Sequence, residues 1–254
     1  IDNPYFATIA SEIVFEAKRY GYTVILLDTL EDEGNESECI NTLLTRSIDG
    51  IILVPCGERP ESLEKIDEQT PIVLIDRYFE DTSLSYICTD NYRGALDGVK
   101  LLIENGHKEI LCIRGVPHSM PSKERVKGYI DALRESGFDT RSRITGNDYS
   151  ITNGYLETKL AIGSPARPTA IFALSNTIML GAIRAIGESS LRIPDDVSIL
   201  SFDNNLFLDF LHPAVTRISQ PTKEISQLAV KILMERLSDK QSVPQQIKLP
   251  AQII

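Results

Sequence analysis

The chain has 254 residues, of which 42% are apolar and 24% are charged, values typical of a folded globular protein. Its net charge of −10 argues against a surface that binds the phosphate backbone of a nucleic acid, because such binding requires clustered Lys and Arg side chains. It contains no run of the roughly 18 apolar residues that a membrane-spanning helix needs. The length suits two domains of roughly 100–150 residues each.

The first third of the chain alternates between helical and strand-like patterns. Apolar residues at helical spacing from Phe6 to Ala17 predict a first helix, for which Asn3 and Pro4 supply an N-cap and a first-turn proline. The elements predicted next are strand 22–28, helix 36–46, strand 50–55, strand 72–76 and strand 86–90. The strand-like runs lack polar alternation, which is typical of parallel strands covered on both faces.

The alternation of helical and strand-like patterns begins again in the middle of the chain. The predicted elements are helix 91–105, strand 110–114, helix 122–136, helix 152–162, strand 170–174, helix 176–189 and strand 197–202. This repetition predicts two doubly wound α/β units, with a boundary near residues 89–91.

The end of the chain departs from this alternation. The elements predicted there are a short strand at 215–219, a helix at 222–237 and a last strand at 246–250. A lone helix followed by a lone strand suits a chain that crosses back to the first unit and then returns. We therefore predict an N-terminal lobe of residues 1–89 plus 221–241 and a C-terminal lobe of residues 90–219 plus 242–254. Multiple crossovers would join these lobes, with a ligand cleft between them.

Polar and aromatic residues follow the predicted strands or begin the helices, where side chains of a parallel sheet converge on one edge. They are Asn3, Phe6, Asp76, Arg77, Arg125, Tyr149, Asn176, Asp203 and Gln220. Carboxylates, guanidinium groups, amides and aromatic rings together suit a polyhydroxylated small molecule. They do not form a set that could carry out most covalent chemistry.

Other kinds of site are not indicated. The cysteines Cys39, Cys56, Cys88 and Cys112 form no Cys-x-x-Cys pair, and we interpret them as reduced core residues, which indicates the cytoplasm. The histidines lack the spacing of metal ligands. No nucleophile elbow, phosphate-binding loop or dinucleotide motif is present, so we expect no metal, no cofactor and no enzymatic activity.

A series of motifs resembles the effector-binding region of the lactose-repressor (LacI/GalR) family of transcription regulators. The resemblance runs from Ile1 to about Pro250. The motifs are Asp2–Phe6, Ile75–Arg77, Thr89–Ala95, Gly106–Ile110, Arg125–Tyr129, Pro168–Ala173, Arg192–Ser198, Ser201–Asn204, His212–Thr216 and Gln220–Pro221. The resemblance implies a periplasmic binding protein-like fold of type I, a homodimer, and contact with operator DNA only through a separate N-terminal headpiece. We expect this chain to lack the headpiece and the first core strand of its family.

The resemblance also assigns expected roles to the candidate residues. It implies that Asp203 binds ligand hydroxyls and that Arg125 binds adjacent hydroxyls or a carboxylate. Asp203 could otherwise be a capping residue of a loop, and Arg125 a solvated side chain. The other positions implied to bind ligand are Asn3, Tyr5, Phe6, Asp76, Arg77, Tyr149, Asn176 and Gln220. Asn3 and Asn176 could instead be plain N-caps, the aromatic residues could belong to the core, and Arg77 could bridge the lobes. Thr177 stands where the family usually has Asp, which removes a carboxylate beside the expected site.

The function favoured by this resemblance is that of a non-enzymatic, cytoplasmic sensor. It would bind a sugar or sugar derivative between its lobes and couple this binding allosterically to DNA binding. The alternative is a periplasmic sugar-binding protein of a transporter. A sugar phosphate or a purine remains open as the effector, and so does the direction of its effect on the operator.

Overall fold

The computed structural model describes residues 3–138, 143–239 and 242–254, so the first residue of the Asp2–Phe6 motif lies outside it. The helices are α1 (Pro4–Arg19), α2 (Glu33–Thr45), α3 (Glu61–Asp67), α4 (Asn91–Glu104), α5 (Met120–Glu135), α6 (Ile151–Ile162), α7 (Asn176–Gly187) and α8 (Thr222–Ser238). The strands are β1 (Ile51–Leu53), β2 (Ile72–Ile75), β3 (Ser85–Thr89), β4 (Ile110–Ile113), β5 (Ile144–Thr145), β6 (Ala170–Ala173), β7 (Ser198–Phe202), β8 (Thr216–Ser219), β9 (Gln246–Leu249) and β10 (Gln252–Ile253). A 3₁₀ helix covers Leu206–Phe210.

The chain forms two compact units, Ile1–Thr89 with Pro221–Leu249, and Asp90–Gln220 with Pro250–Ile254. The first unit has a parallel sheet in the order β1-β2-β3-β9. The sheet of the second unit has the order β10-β8-β7-β6-β4-β5, parallel except for β10, which pairs antiparallel with β8. These two mainly parallel α/β units confirm the predicted fold class.

Strands β2, β4 and β6 are apolar throughout because helices cover both faces of each sheet. In β2, Val73 and Ile75 pack with α1 and α8, whereas Ile72 and Leu74 point to the opposite face and pack with α2 and α3. In the second sheet, one face packs against α4 and α5 and the other against α6 and α7. Successive side chains of a strand alternate between faces, so a strand without polar residues reads as buried on both sides.

The cysteines only partly match their predicted place in the core. Cys88 and Cys112 are buried, whereas Cys39 and Cys56 are half-buried. Among the residues that the structure describes, these side chains form no disulfide. None of the described helices combines the length and the apolar character that crossing a membrane requires.

Two strand predictions are wrong in their details. Residues 22–28 belong to neither sheet within the described chain, and β1 forms the edge of the first sheet. A strand needs a neighbour for its ladder hydrogen bonds, and without one Ile25 and Leu26 are 50% and 55% exposed. The last predicted strand was assigned to the C-terminal lobe, but β9 pairs with β3 in the first sheet.

Candidate functional site

Three adjacent strands of the second sheet end next to predicted site residues. Asn176 comes shortly after β6, Asp203 directly follows β7, and Gln220 directly follows β8. Because these strands are parallel, their carboxyl ends lie on the same edge of the sheet. Nε2 of Gln220 donates a hydrogen bond to Oδ1 of Asp203, and the backbone N–H of Asn176 also bonds to this carboxylate. The fold therefore brings these three residues together.

The carboxylate of Asp203 is a fixed acceptor in this cluster. Its backbone has a φ of 75°, in the left-handed region, and its N–H donates to the carbonyl of Ile218 at 3.0 Å. The residue is 3% exposed. Burial raises the pKa of Asp203, and the nearby charge of Arg125 and the hydrogen bonds from Gln220 and Asn176 oppose this rise. Aspartate adopts a left-handed backbone at lower cost than most other side chains, which lets the chain turn here.

The guanidinium group of Arg125 is held in place from several directions. Arg125 lies on α5 and is 3% exposed. Its Nε donates to Oδ1 of Asn91 at 2.8 Å, and its Nη1 donates to the carbonyl of Leu174 at 2.6 Å. Its Cζ lies 3.8 Å from the centroid of the Phe202 ring, a cation–π contact. The buried setting rules out the alternative of a solvated arginine on the helix surface.

The side-chain amide of Asn176 is buried and carries no hydrogen bond within the described chain. Asn176 is 0% exposed, and among the described residues neither its Oδ1 nor its Nδ2 has a partner. It is not the N-cap of α7, because the hydroxyl of Ser175 takes that role by accepting from the N–H of Ile178 at 3.2 Å. A buried amide that no protein group pairs costs about 1–3 kcal/mol.

Tyr149 is half-buried and lies between the start of α5 and the start of α7. Its hydroxyl is 3.1 Å from Oγ of Ser119, at the start of α5, and its carbonyl accepts a hydrogen bond from Thr177. Its ring fills the space next to Gly115, where an added Cβ would lie 2.2 Å from the ring carbons. Glycine at 115 therefore permits the aromatic ring to occupy this position.

In the first unit, Asp76 resembles Asp203 in its backbone geometry. It follows β2, has a φ of 64°, is buried, and its N–H donates to the carbonyl of Ile87 at 3.1 Å. Arg77 forms an ion pair with Glu31, with 3.1 Å between Nη2 and Oε1. The carboxylate of Asp76 is 4.0 Å from Nε of the same arginine. Both units thus place an aspartate in a left-handed turn directly after a strand.

The other candidates of the first unit have structural roles of their own. Oδ1 of Asn3 caps α1 by accepting from the N–H of Tyr5 at 3.0 Å, so the N-cap interpretation is correct for this residue. Tyr5 is buried in the core between α1 and α8, and its ring meets that of Phe6 edge to face at 5.1 Å. Phe6 is only partly buried. A ligand contact stays a prediction for all three.

Sequence reasoning missed several residues that support the second-unit cluster. Asn91 and Phe202 orient the guanidinium group of Arg125, and Ser119 contacts the ring hydroxyl of Tyr149. Asn91 and Phe202 lie inside motifs that the resemblance had already singled out, which was the available signal. Ser119 carried no comparable signal. Within the described ranges, no group of three or more His, Cys, Asp or Glu side chains could hold a metal ion.

Comparison with known proteins identifies similar sequences over nearly the whole chain. A family model described as a periplasmic binding protein-like domain matches residues 99–254. The HTH-type transcriptional repressor CytR of Escherichia coli K12 is 33% identical over 242 residues, which cover 93% of this chain and 70% of CytR. The NTD biosynthesis operon regulator NtdR of Bacillus subtilis is 30% identical over 256 residues, which cover 100% of this chain and 78% of NtdR.

Solved structures show the same similarity in three dimensions. A candidate ribose operon repressor from Burkholderia thailandensis has 32% identity and a TM-score of 0.89, and the match covers 100% of this chain and 95% of that one. A structure from Actinobacillus succinogenes has 29% identity and a TM-score of 0.93, with 100% and 94% covered. The names of the similar sequences are those of transcription regulators, which favours regulation over transport.

Proposed function

Because this chain belongs to the lactose-repressor (LacI/GalR) family of transcription regulators, we propose that it is the effector-sensing part of such a regulator. It binds a small ligand, a sugar or sugar derivative, through residues on the carboxyl edge of the second sheet. Binding is coupled allosterically to the affinity of a separate N-terminal headpiece for operator DNA. The protein is not an enzyme and acts in the cytoplasm, where the operator is.

The buried amide of Asn176 is the observation that carries this proposal. A side chain with one acceptor and two donors, none of them paired within the described chain, can bind a hydroxyl group through either function. The carboxylate of Asp203, which the backbone N–H of Asn176 contacts, is oriented by Gln220. The guanidinium of Arg125 is oriented by Asn91 and by the carbonyl of Leu174. Such a preorganised set loses little conformational entropy when a polyol binds.

The charges of this cluster favour a neutral sugar over a phosphorylated one. The positive charge of Arg125 is balanced by the carboxylate of Asp203, and it lies close enough to oppose the rise that burial causes in the pKa of Asp203. A phosphate carries up to two negative charges, and the groups here that would attract it, Arg125 and the start of α7, already face the carboxylate of Asp203. The nearby carboxylate would repel it, whereas the hydroxyl groups of a neutral sugar can donate to the same carboxylate.

The ligand controls DNA binding by shifting an equilibrium between two conformations. It can shift this equilibrium only by the difference between its affinities for the two states. A homodimer would present two headpieces to the two halves of a pseudo-palindromic operator. The first-unit residues Asn3, Tyr5, Phe6, Asp76 and Arg77 stay predictions as further ligand contacts.

Isothermal titration calorimetry against neutral monosaccharides, neutral disaccharides, sugar phosphates and nucleobases tests this function. We expect a neutral sugar to bind, and we expect Asn176→Ala, Asp203→Asn and Arg125→Lys each to weaken binding about 10- to 100-fold. Arg134→Lys is the matched control, because Arg134 lies on α5 but is exposed. A ligand whose affinity is unchanged in all three variants would show that the site lies elsewhere. Selective binding of a sugar phosphate would contradict the charge argument.

A further inference from the structure

A directed series of hydrogen bonds links the start of α7 to the peptide group of Tyr149. The carbonyl of Tyr149 can only accept, so the single proton of the Thr177 hydroxyl is donated to it. The hydroxyl oxygens of Ser175 and Thr177 are 2.9 Å apart, and Ser175 therefore donates to Thr177. Ser175 in turn accepts from the N–H of Ile178 as the N-cap of α7.

The ring of Tyr149 is fixed separately, on the side of α5. Oγ of Ser119 donates to the carbonyl of Val116 at 2.9 Å, so the hydroxyl of Tyr149 is the donor in its 3.1 Å bond to Ser119. The ring is also in close contact with Gly115. Tyr149 is thus held at its carbonyl by α7 and at its ring by the loop that follows β4.

We propose that Thr177 is a positioning residue that holds Tyr149 as a preformed aromatic wall of the ligand site and thereby slows ligand release. The inference rests on the proposed function only in taking Tyr149 as a ligand contact. The hydroxyl of Thr177 donates to this carbonyl, whereas an ionised aspartate at the same position could not. A carboxylate at this place would repel that carbonyl, although the start of a helix favours an acidic residue. The hydroxyl of Thr177 therefore positions Tyr149 and does not cap α7.

Variants at position 177 separate the hydrogen bond from the shape of the side chain. Thr177→Val removes the donor and keeps the shape, Thr177→Asp replaces the donor by an acceptor, and Thr177→Ser keeps the hydroxyl. Amide hydrogen exchange in residues 146–150, measured by mass spectrometry, reports on the loop without any ligand. We expect exchange to rise roughly tenfold in the Val and Asp variants and to stay unchanged in the Ser variant. The urea unfolding midpoint, measured in parallel, distinguishes a local loosening of the loop from a loss of global stability.

Ligand release, measured by stopped-flow with the sugar found by calorimetry, gives the second measurement. The dissociation rate should rise roughly tenfold in the Val and Asp variants and remain at the wild-type value in the Ser variant. Unchanged loop exchange in both the Val and Asp variants would overturn the proposal, and so would equal effects of the Val and Ser variants. If exchange rises as expected but no ligand binds even the wild type, the proposed function fails while the positioning of Tyr149 stands.

Discussion

Replacing Asn176 by leucine should stabilise the ligand-free protein while weakening its response to ligand. The side chain is 0% exposed and neither of its polar atoms has a partner among the described residues. Leucine has a similar shape and no polar atoms, so the variant avoids a cost of about 1–3 kcal/mol. At roughly 2–4 °C per kcal/mol for a protein of this size, the melting temperature should rise by several degrees. Ligand at 100 times its wild-type Kd should add about 2.7 kcal/mol to the wild type but, at an affinity 10- to 100-fold lower, only about 0.4–1.4 kcal/mol to the variant.

Asn153 provides a matched control near the start of α6. It is also buried, but its Nδ2 donates to the carbonyl of Arg114 at 3.1 Å and to that of Asp148 at 2.6 Å. Asn153→Leu leaves these carbonyls without their donor and should lower the free energy of unfolding by about 1–3 kcal/mol. Urea unfolding followed by circular dichroism measures both variants, provided that the m-value is unchanged. Equal destabilisation by the two substitutions would refute the reasoning, because Asn176 would then have partners in solution.

Two further predictions concern charged groups. Arg236→Met should destabilise the protein by about 3–5 kcal/mol in urea unfolding, because it removes one partner of a largely buried ion pair with Asp67. The control is Arg93→Met, which removes one partner of an exposed ion pair and should change stability by about 0–0.5 kcal/mol. Asp203→Asn should flatten the pH dependence of stability. Burial raises the pKa of Asp203 in the folded state, so its stabilising contribution is complete below the ordinary value near 4 and is lost as the pH rises through the raised value. Unfolding midpoints between pH 4 and pH 8 measure this, with the exposed Asp195→Asn as control, and identical profiles for wild type and Asp203→Asn would contradict it.

Most helices and strands could be predicted because their signals are local. The apolar run of β2 and the helical spacing of α8 each specify the element and the faces that it buries. Which strand pairs with which, by contrast, is not specified by a local pattern. Residues 22–28 have a strand-like pattern yet join neither sheet of the described chain, and β9 joined the first sheet rather than the second. Both errors concern which neighbour supplies the ladder hydrogen bonds.

The candidate site divides in the same way. The positions of Asp203 and Gln220 followed from the ends of predicted strands, and the structure brings them into contact. The sequence could not distinguish an N-cap from a buried amide, and the two candidates differ: Asn3 caps its helix, whereas Ser175 performs that role in place of Asn176. Tyr5 proved to be a core residue because α8 packs across α1. These outcomes depend on side-chain partners from distant parts of the chain.

The sequence by itself determined the α/β class, the placement of polar groups after apolar strands, and the family, because these depend on periodicity and on motifs along the chain. Only the tertiary structure decided which of those polar groups are satisfied. Arg125 is fixed by Asn91 and Phe202, while the amide of Asn176 is buried without a partner in the described chain. Burial and hydrogen bonding depend on residues that are distant in sequence, and they become defined only when the strands and helices pack together.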